Sequence, residues 1–280
     1  MWTASARLGE CPRWDPRLDR LFWVDIDAAE LHALQPSLGA RQTWKLPCRF
    51  CSLDVPVGDW ISPSEVWGDV LVGCGELGLT WVALEDDAVQ IVEVADPERD
   101  QPENRFNDGR MGPDGRYWAG TMHEPEELPT GSLYAFRPDG TYAVLDSGYT
   151  VANGPAFSPD GSVVYHTDSA RREIYAFELA GDGTLEGKRM FARFSEDEGK
   201  PDGMTTDRHG NLWVAMWDGA RVERLSPDGA RLEAVPMPTR RPTSCTFVDS
   251  ECTEMFVTSA GIGASTEDTL AGGLFRVRLN

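Results

Sequence analysis

The chain reads as an all-β protein, a six-bladed β-propeller covering residues 1–280 as a single domain. Three observations predict it. Short apolar runs recur at intervals of roughly 40–50 residues, the spacing of propeller blades. Pro-Asp-Gly turns punctuate them at Gly115, Gly140, Gly161 and Gly229. One polar position also recurs in the same register: Asn107, Asn153 and Asp202 each stand eight residues before a turn glycine, Gly115, Gly161 and Gly210. No segment carries a sustained helical period.

The elements follow in order. One strand series begins at Leu21, Val70, Tyr117, Val163, Leu212 and Met255, with spacings of 49, 47, 46, 49 and 43 residues. A second series begins at Leu31, Thr80, Leu133, Ile174, Val222 and Leu274. Aromatic and β-branched residues dominate both, as strands prefer. Outer strands are expected at residues 42–46, 89–94, 142–145, 189–194 and 231–235. A blade has four strands, so a sixth outer strand is needed. It is expected from the N-terminus, around residues 2–6, joining the last blade and leaving no open ring edge. A β-sandwich does not need six evenly spaced units. Residues 96–104, 124–130, 195–200 and 261–271 read as loops, the usual place for function on a rigid scaffold.

Inner strands of a propeller line its channel, and the recurring polar position begins each of them at one mouth. In the first unit Glu10 falls close to that point; elsewhere it is Cys51 or Ser52, and Ser244. Taken singly, an Asn or Asp near Gly is a common turn residue held by local hydrogen bonds. The shared register changes the reading, because one repeated backbone geometry points these side chains the same way. Glu10, Asn153 and Asp202 then offer two carboxylates and an amide oxygen. That set suits one divalent ion (calcium, zinc, manganese, magnesium or iron(II)), with waters completing the shell.

Composition narrows the classes. The net charge is −20, from 26 basic and 46 acidic residues, which argues against a nucleic-acid partner. No run of apolar residues is long enough to span a membrane, and the N-terminus lacks an apolar signal core. A cytoplasmic protein is expected. The six cysteines include a lone C-x-x-C at Cys48 and Cys51, without a second pair at zinc spacing; free thiols in a reducing compartment are expected. No apolar dimer face is evident, so the default is a monomer. There is no G-x-S-x-G elbow and no paired metal-binding histidine motif. His209 reads as solvated, His166 as packing, and His123 as a strand-end residue facing the mouth. Residues 181–188 mimic a phosphate loop with the wrong spacing.

Specific stretches resemble the regucalcin/gluconolactonase-like family of six-bladed propellers. They include Leu8-Gly-Glu-Cys-Pro-Arg-Trp14, Arg105-Phe-Asn-Asp-Gly-Arg110, Gly115-Arg-Tyr-Trp-Ala-Gly-Thr-Met122, Asn153-Gly-Pro-Ala-Phe-Ser-Pro-Asp-Gly161 and Pro201-Asp-Gly-Met204. The resemblance runs from Leu8 almost to the end. It implies a divalent-metal-dependent hydrolase that opens a sugar lactone to the aldonic acid. It implies that Glu10, Asn153 and Asp202 hold the ion and that Arg105 and Asn107 contact the substrate. A further acidic contact is expected just after the Gly-Thr-Met strand; Glu124 is chosen over Glu126 and Glu127. The stretch from Cys48 to Trp67 departs from the family pattern. The nucleophilic water is activated either by Asp202 as general base or by the ion. Three rivals remain: a calcium-binding regulator without turnover, an esterase or phosphotriesterase on the same scaffold, and a protein-interaction propeller.

Overall fold

A computed structural model describes residues 1–60 and 69–279. Six antiparallel sheets succeed one another along the chain, and they form the blades of a six-bladed propeller. The first comprises β1 (Gly9–Asp15), β2 (Arg20–Asp25), β3 (Glu30–Gln35) and β4 (Ala40–Lys45). The second has β5 (Phe50–Asp54), β6 (Asp69–Gly75), β7 (Gly78–Leu84) and β8 (Val89–Ala95). The third has β9 (Asn104–Met111), β10 (Tyr117–His123), β11 (Gly131–Phe136) and β12 (Tyr142–Tyr149). The fourth has β13 (Ala152–Phe157), β14 (Val163–Asp168), β15 (Glu173–Leu179) and β16 (Leu185–Arg193). The fifth has β17 (Lys200–Thr206), β18 (Leu212–Trp217), β19 (Arg221–Leu225) and β20 (Val235–Pro236). The sixth has β21 (Pro242–Phe247), β22 (Glu254–Ser259) and β23 (Phe275–Arg278).

The two strand series of the sequence correspond to the second and third strands of the blades. Most of those strands are buried on both faces, as in β10, where every residue is buried; β23, partly exposed, is an exception. Apolar clusters such as Tyr165, Ile174, Met204, Leu212 and Val214 fill the gaps between neighbouring blades. The turn glycines Gly115, Gly140, Gly161 and Gly229 all have positive φ, between 72° and 87°, the left-handed conformation that glycine adopts without a Cβ penalty.

Two details differ from expectation. Residues 231–235 do not form a full outer strand; only β20 pairs with β19, with an isolated bridge from Leu225 to Arg231. The last sheet has three strands among the described residues, and the N-terminal segment meets the last blade through two isolated bridges, Trp2 to Leu274 and Leu8 to Ala260, rather than a ladder. Pro63 to Gly68, in the stretch that departs from the family pattern, lie outside the described residues. No helix among the described residues is long and apolar enough to cross a membrane. The six cysteines are free thiols.

All six inner strands carry a register shift against their neighbour: between Glu10 and Arg13, Phe50 and Ser52, Asn153 and Ala156, Pro201 and Met204, and Pro242 and Ser244, and in β9 opposite Ala119 to Thr121. A β-bulge inserts extra backbone and re-aims a side chain. Here it falls beside each polar position that the repeat singles out.

Candidate active site at the channel mouth

Glu10, Arg105, Asn107, Asn153 and Asp202 line one cavity of about 120 Å³, together with Glu126, Lys200, Ser169 and Trp217. Four inner strands, β1, β9, β13 and β17, supply the five predicted residues, each from its first half.

A hydrogen-bond relay fixes their orientation. Arg105 Nη1 donates to Asn107 Oδ1 at 2.8 Å, and Asn107 Nδ2 donates to Asn153 Oδ1 at 3.1 Å and to the Ala152 carbonyl at 2.8 Å. Asn153 Nδ2 donates to Ser169 Oγ at 2.9 Å, and that hydroxyl donates to the Pro201 carbonyl at 2.6 Å. With its amide nitrogen turned to Ser169, Asn153 keeps its oxygen, which has a second lone pair, as the group available to a ligand. Sequence reasoning missed Ser169; it follows β14 in a loop and belongs to no repeating register.

Glu10 and Asp202 are both 7% exposed. Burial, then the charge of Asp108, pushes the Glu10 carboxyl up to about 8. Burial, then the charges of Glu10 and Asp108, holds Asp202 well above the ordinary carboxylate range. Two buried carboxylates that disfavour each other's ionisation, beside an oriented amide oxygen, are a donor set that a divalent cation satisfies. Among the described residues no cluster of three His, Cys, Asp or Glu side chains is arranged for a metal; beside the two carboxylates the Asn153 amide oxygen is a third oxygen donor on the cavity lining. Beneath this layer lies Asp108, 3.5 Å from Arg13 Nη2, with its Oδ1 accepting from the Gly109 N–H and its Oδ2 from the Gly154 N–H.

Glu124 stands apart from the cavity lining. It accepts from Arg49 Nη1 at 2.6 Å and lies 3.7 Å from Arg105 Nε. Glu126 is the acidic residue of that loop on the lining, 3.4 Å from Lys200 Nζ. His123 is buried and accepts from the N–H groups of Glu127 and Leu128, so it shapes the loop. His166 is fully buried against Tyr149, and burial lowers its imidazole to about 3.

The family described as SMP-30/Gluconolactonase/LRE-like region matches residues 8–261. The chain belongs to this family. Among its relatives, a 6-deoxy-6-sulfogluconolactonase of Pseudomonas putida is 34% identical over 98% of this chain and 91% of its own length. An L-arabinolactonase of Azospirillum brasilense is 37% identical over 96% of this chain and 87% of its own. The crystal structure of regucalcin from Agrobacterium tumefaciens, described as a calcium-binding protein, superimposes with a TM-score of 0.88 at 27% identity, covering 98% of this chain and 91% of that one. The family match spans every element that supplies the cavity's charged and amide side chains.

Proposed function

We propose that the chain is a divalent-metal-dependent hydrolase that opens a sugar lactone to the aldonic acid. The observation that carries this reading is the convergence of Glu10, Asn153 and Asp202 on one cavity that also holds the Arg105 guanidinium. Two relatives named as sugar lactonases support the reaction class. A structural neighbour described as calcium-binding supports a divalent ion.

When bound, the ion supplies Lewis-acid polarisation of the lactone carbonyl. Glu10, Asn153 and Asp202 hold it. Arg105 presents forked donors to the lactone and hydroxyl oxygens, and Asn107 keeps Arg105 and Asn153 in register. Asp202 takes the proton of the attacking water. The water oxygen bonds the carbonyl carbon, the ring C–O bond breaks, and the proton passes to the departing ring oxygen. Glu126 is the acidic side chain placed to meet sugar hydroxyls. We take the enzyme to be a cytoplasmic monomer acting on a free small molecule.

Metal-stripped protein is assayed with gluconolactone, xylonolactone, galactonolactone and arabinonolactone, each divalent ion added back in turn, with spontaneous opening subtracted from proton release. Metal-restored turnover is expected. Asp202→Asn is expected to keep the fold and lose about 10²–10⁴-fold in kcat. Folded, metal-binding protein without turnover on any lactone points instead to the calcium-binding regulator, the reading that the regucalcin likeness favours.

A further inference from the structure

The six inner strands all run the same way along the channel, so their first halves build the mouth described above and their last residues build the opposite one. There, a second cavity of about 350 Å³ is lined by Arg13, Arg110, Asp54, Thr205, Thr246 and neighbouring aromatic walls. Arg105 and Arg110 are five residues apart on β9, which puts the two cavities about 15 Å apart along the strand.

The charges of this second cavity are poorly matched. Arg13 is 4% exposed; its Nη1 and Nη2 donate to the carbonyls of Pro12 and Gly109, at 2.9 Å and 2.8 Å. Its Nε is buried, has no hydrogen-bond partner, and stands 3.5 Å from Asp54 Oδ2. Asp54 is already engaged: its oxygens accept from the N–H groups of Val55 and Met111. Asp108, the other acid beside Arg13, does not line the cavity. Arg110 is half-buried and reaches only two carbonyls, Pro155 at 3.5 Å and Met204 at 3.3 Å, with no carboxylate partner among the described residues. Burial and the nearby Arg13 disfavour its charge by more than the charges of Asp54 and Asp108 favour it.

A guanidinium does not shed its proton to relieve such strain, so a desolvated one without an anion costs free energy that an entering anion recovers. The lining carries two guanidiniums against one carboxylate, in a chain whose net charge is −20. Trp14, Phe157 and Phe247 give it apolar walls, and its volume suits a small organic ligand.

We infer that this opposite mouth is a binding site for a small oxyanion, a carboxylate or phosphate, with Arg110 and Arg13 as its cationic anchors and the Thr205 and Thr246 hydroxyls beside them. The site is separate from the lactone cavity, so binding is read without turnover.

The test is calorimetric titration of the full chain with inorganic phosphate, succinate and citrate at constant ionic strength, with Arg110→Met and Arg110→Lys beside the native protein. Saturable binding is expected for at least one anion, and the ranking separates phosphate from carboxylate sources. Arg110→Met is expected to weaken it roughly tenfold or more, the loss of charge-assisted hydrogen bonds. Arg110→Lys keeps the charge and so guards against misfolding; loss of the fork should still weaken binding several-fold. Lactone turnover should stay within about twofold in both variants, since neither touches the other mouth. Absence of saturable binding to the native protein, or equal affinity in a folded Arg110 variant, overturns the assignment.

Discussion

Glu10 and Asp202 carry carboxyls whose chemistry departs far from that of free side chains, because β1 and β17 bring the two into one cavity and bury them. Raised carboxyl pKa values make a definite statement about stability. The folded state binds a proton at Glu10 more tightly than the unfolded chain does, from about 4.5 up to about 8. Between those values the folded state holds more protons, so stability falls as pH rises through the window and is fully present below it. For the metal-free protein, urea unfolding at intervals from pH 4.5 to 8 should show a decline of no more than about 1.4 kcal/mol per pH unit from this group. Glu10→Gln should flatten the profile, and a saturating divalent ion should do the same by replacing the proton. A profile unchanged in Glu10→Gln would show that Glu10 does not carry the effect. At this scale the sequence was informative where a residue sits in a repeating register. Asn107, Asn153 and Asp202 were found that way because blades repeat one backbone geometry. Glu124 and Glu126 repeat nothing. Their destinations depend on the loop path, which turns at Glu126 through a positive φ of 59°; this carries Glu126 to the cavity and leaves Glu124 with Arg49.

The bulged inner strand is the element that converts the repeat into a site. In β17 the bulge spans Asp202 and Gly203, opposite the stretch between Val214 and Met216. Gly203 is pressed against the next blade: a Cβ there would lie 2.3 Å from Ser244 Oγ and 3.0 Å from Ser244 Cα. That contact sets how closely β17 and β21 approach and so where Asp202 projects. Gly203→Ala forces one of them to move; overpacking of this kind costs about 1–3 kcal/mol. The variant should unfold at lower urea and, in its folded fraction, turn over lactone more slowly, with weaker metal binding. Native metal affinity in Gly203→Ala would mean that the bulge tolerates displacement without disturbing Asp202. Strands such as β10 were legible in the sequence because burial on both faces demands apolar runs. The bulges were not, since they are backbone events written in hydrogen-bond register. The outer strand expected at 231–235 was misjudged for a related reason. An exposed edge requires little apolar pattern, and the pairing there reduces to β20 and one bridge.

At the scale of the whole molecule, a propeller must hold its first and last blades together, and the expected device was an N-terminal strand in the last sheet. The structure shows a lighter clasp. Trp2 exchanges backbone hydrogen bonds with Leu274, both 2.8 Å, and Ala6 donates to the Gly272 carbonyl at 2.9 Å. The Trp2 ring packs edge-on against Trp23 and His32 of the first blade, with centroids 5.5 Å and 5.4 Å away, and Arg41 lies over it at 5.1 Å. Trp2 therefore bonds the last blade through its backbone and grips the first through its side chain. The sequence placed the chain's beginning at this seam by counting strands, but counting does not reveal that an aromatic anchor takes the place of a ladder. Deleting residues 2–5 removes that anchor while leaving Leu8 and Glu10 at the site. Losing a half-buried tryptophan with its ring contacts costs about 2–3 kcal/mol, which corresponds to a fall in Tm of roughly 3–5 °C for a chain of this size. Lactone turnover well below that temperature should be retained, because the four strands that carry the charged cavity residues are untouched. An unchanged Tm would place closure in the direct packing of β1 against β21 and β22, whereas lost activity at full stability would mean that the clasp also sets the position of β1 and hence of Glu10.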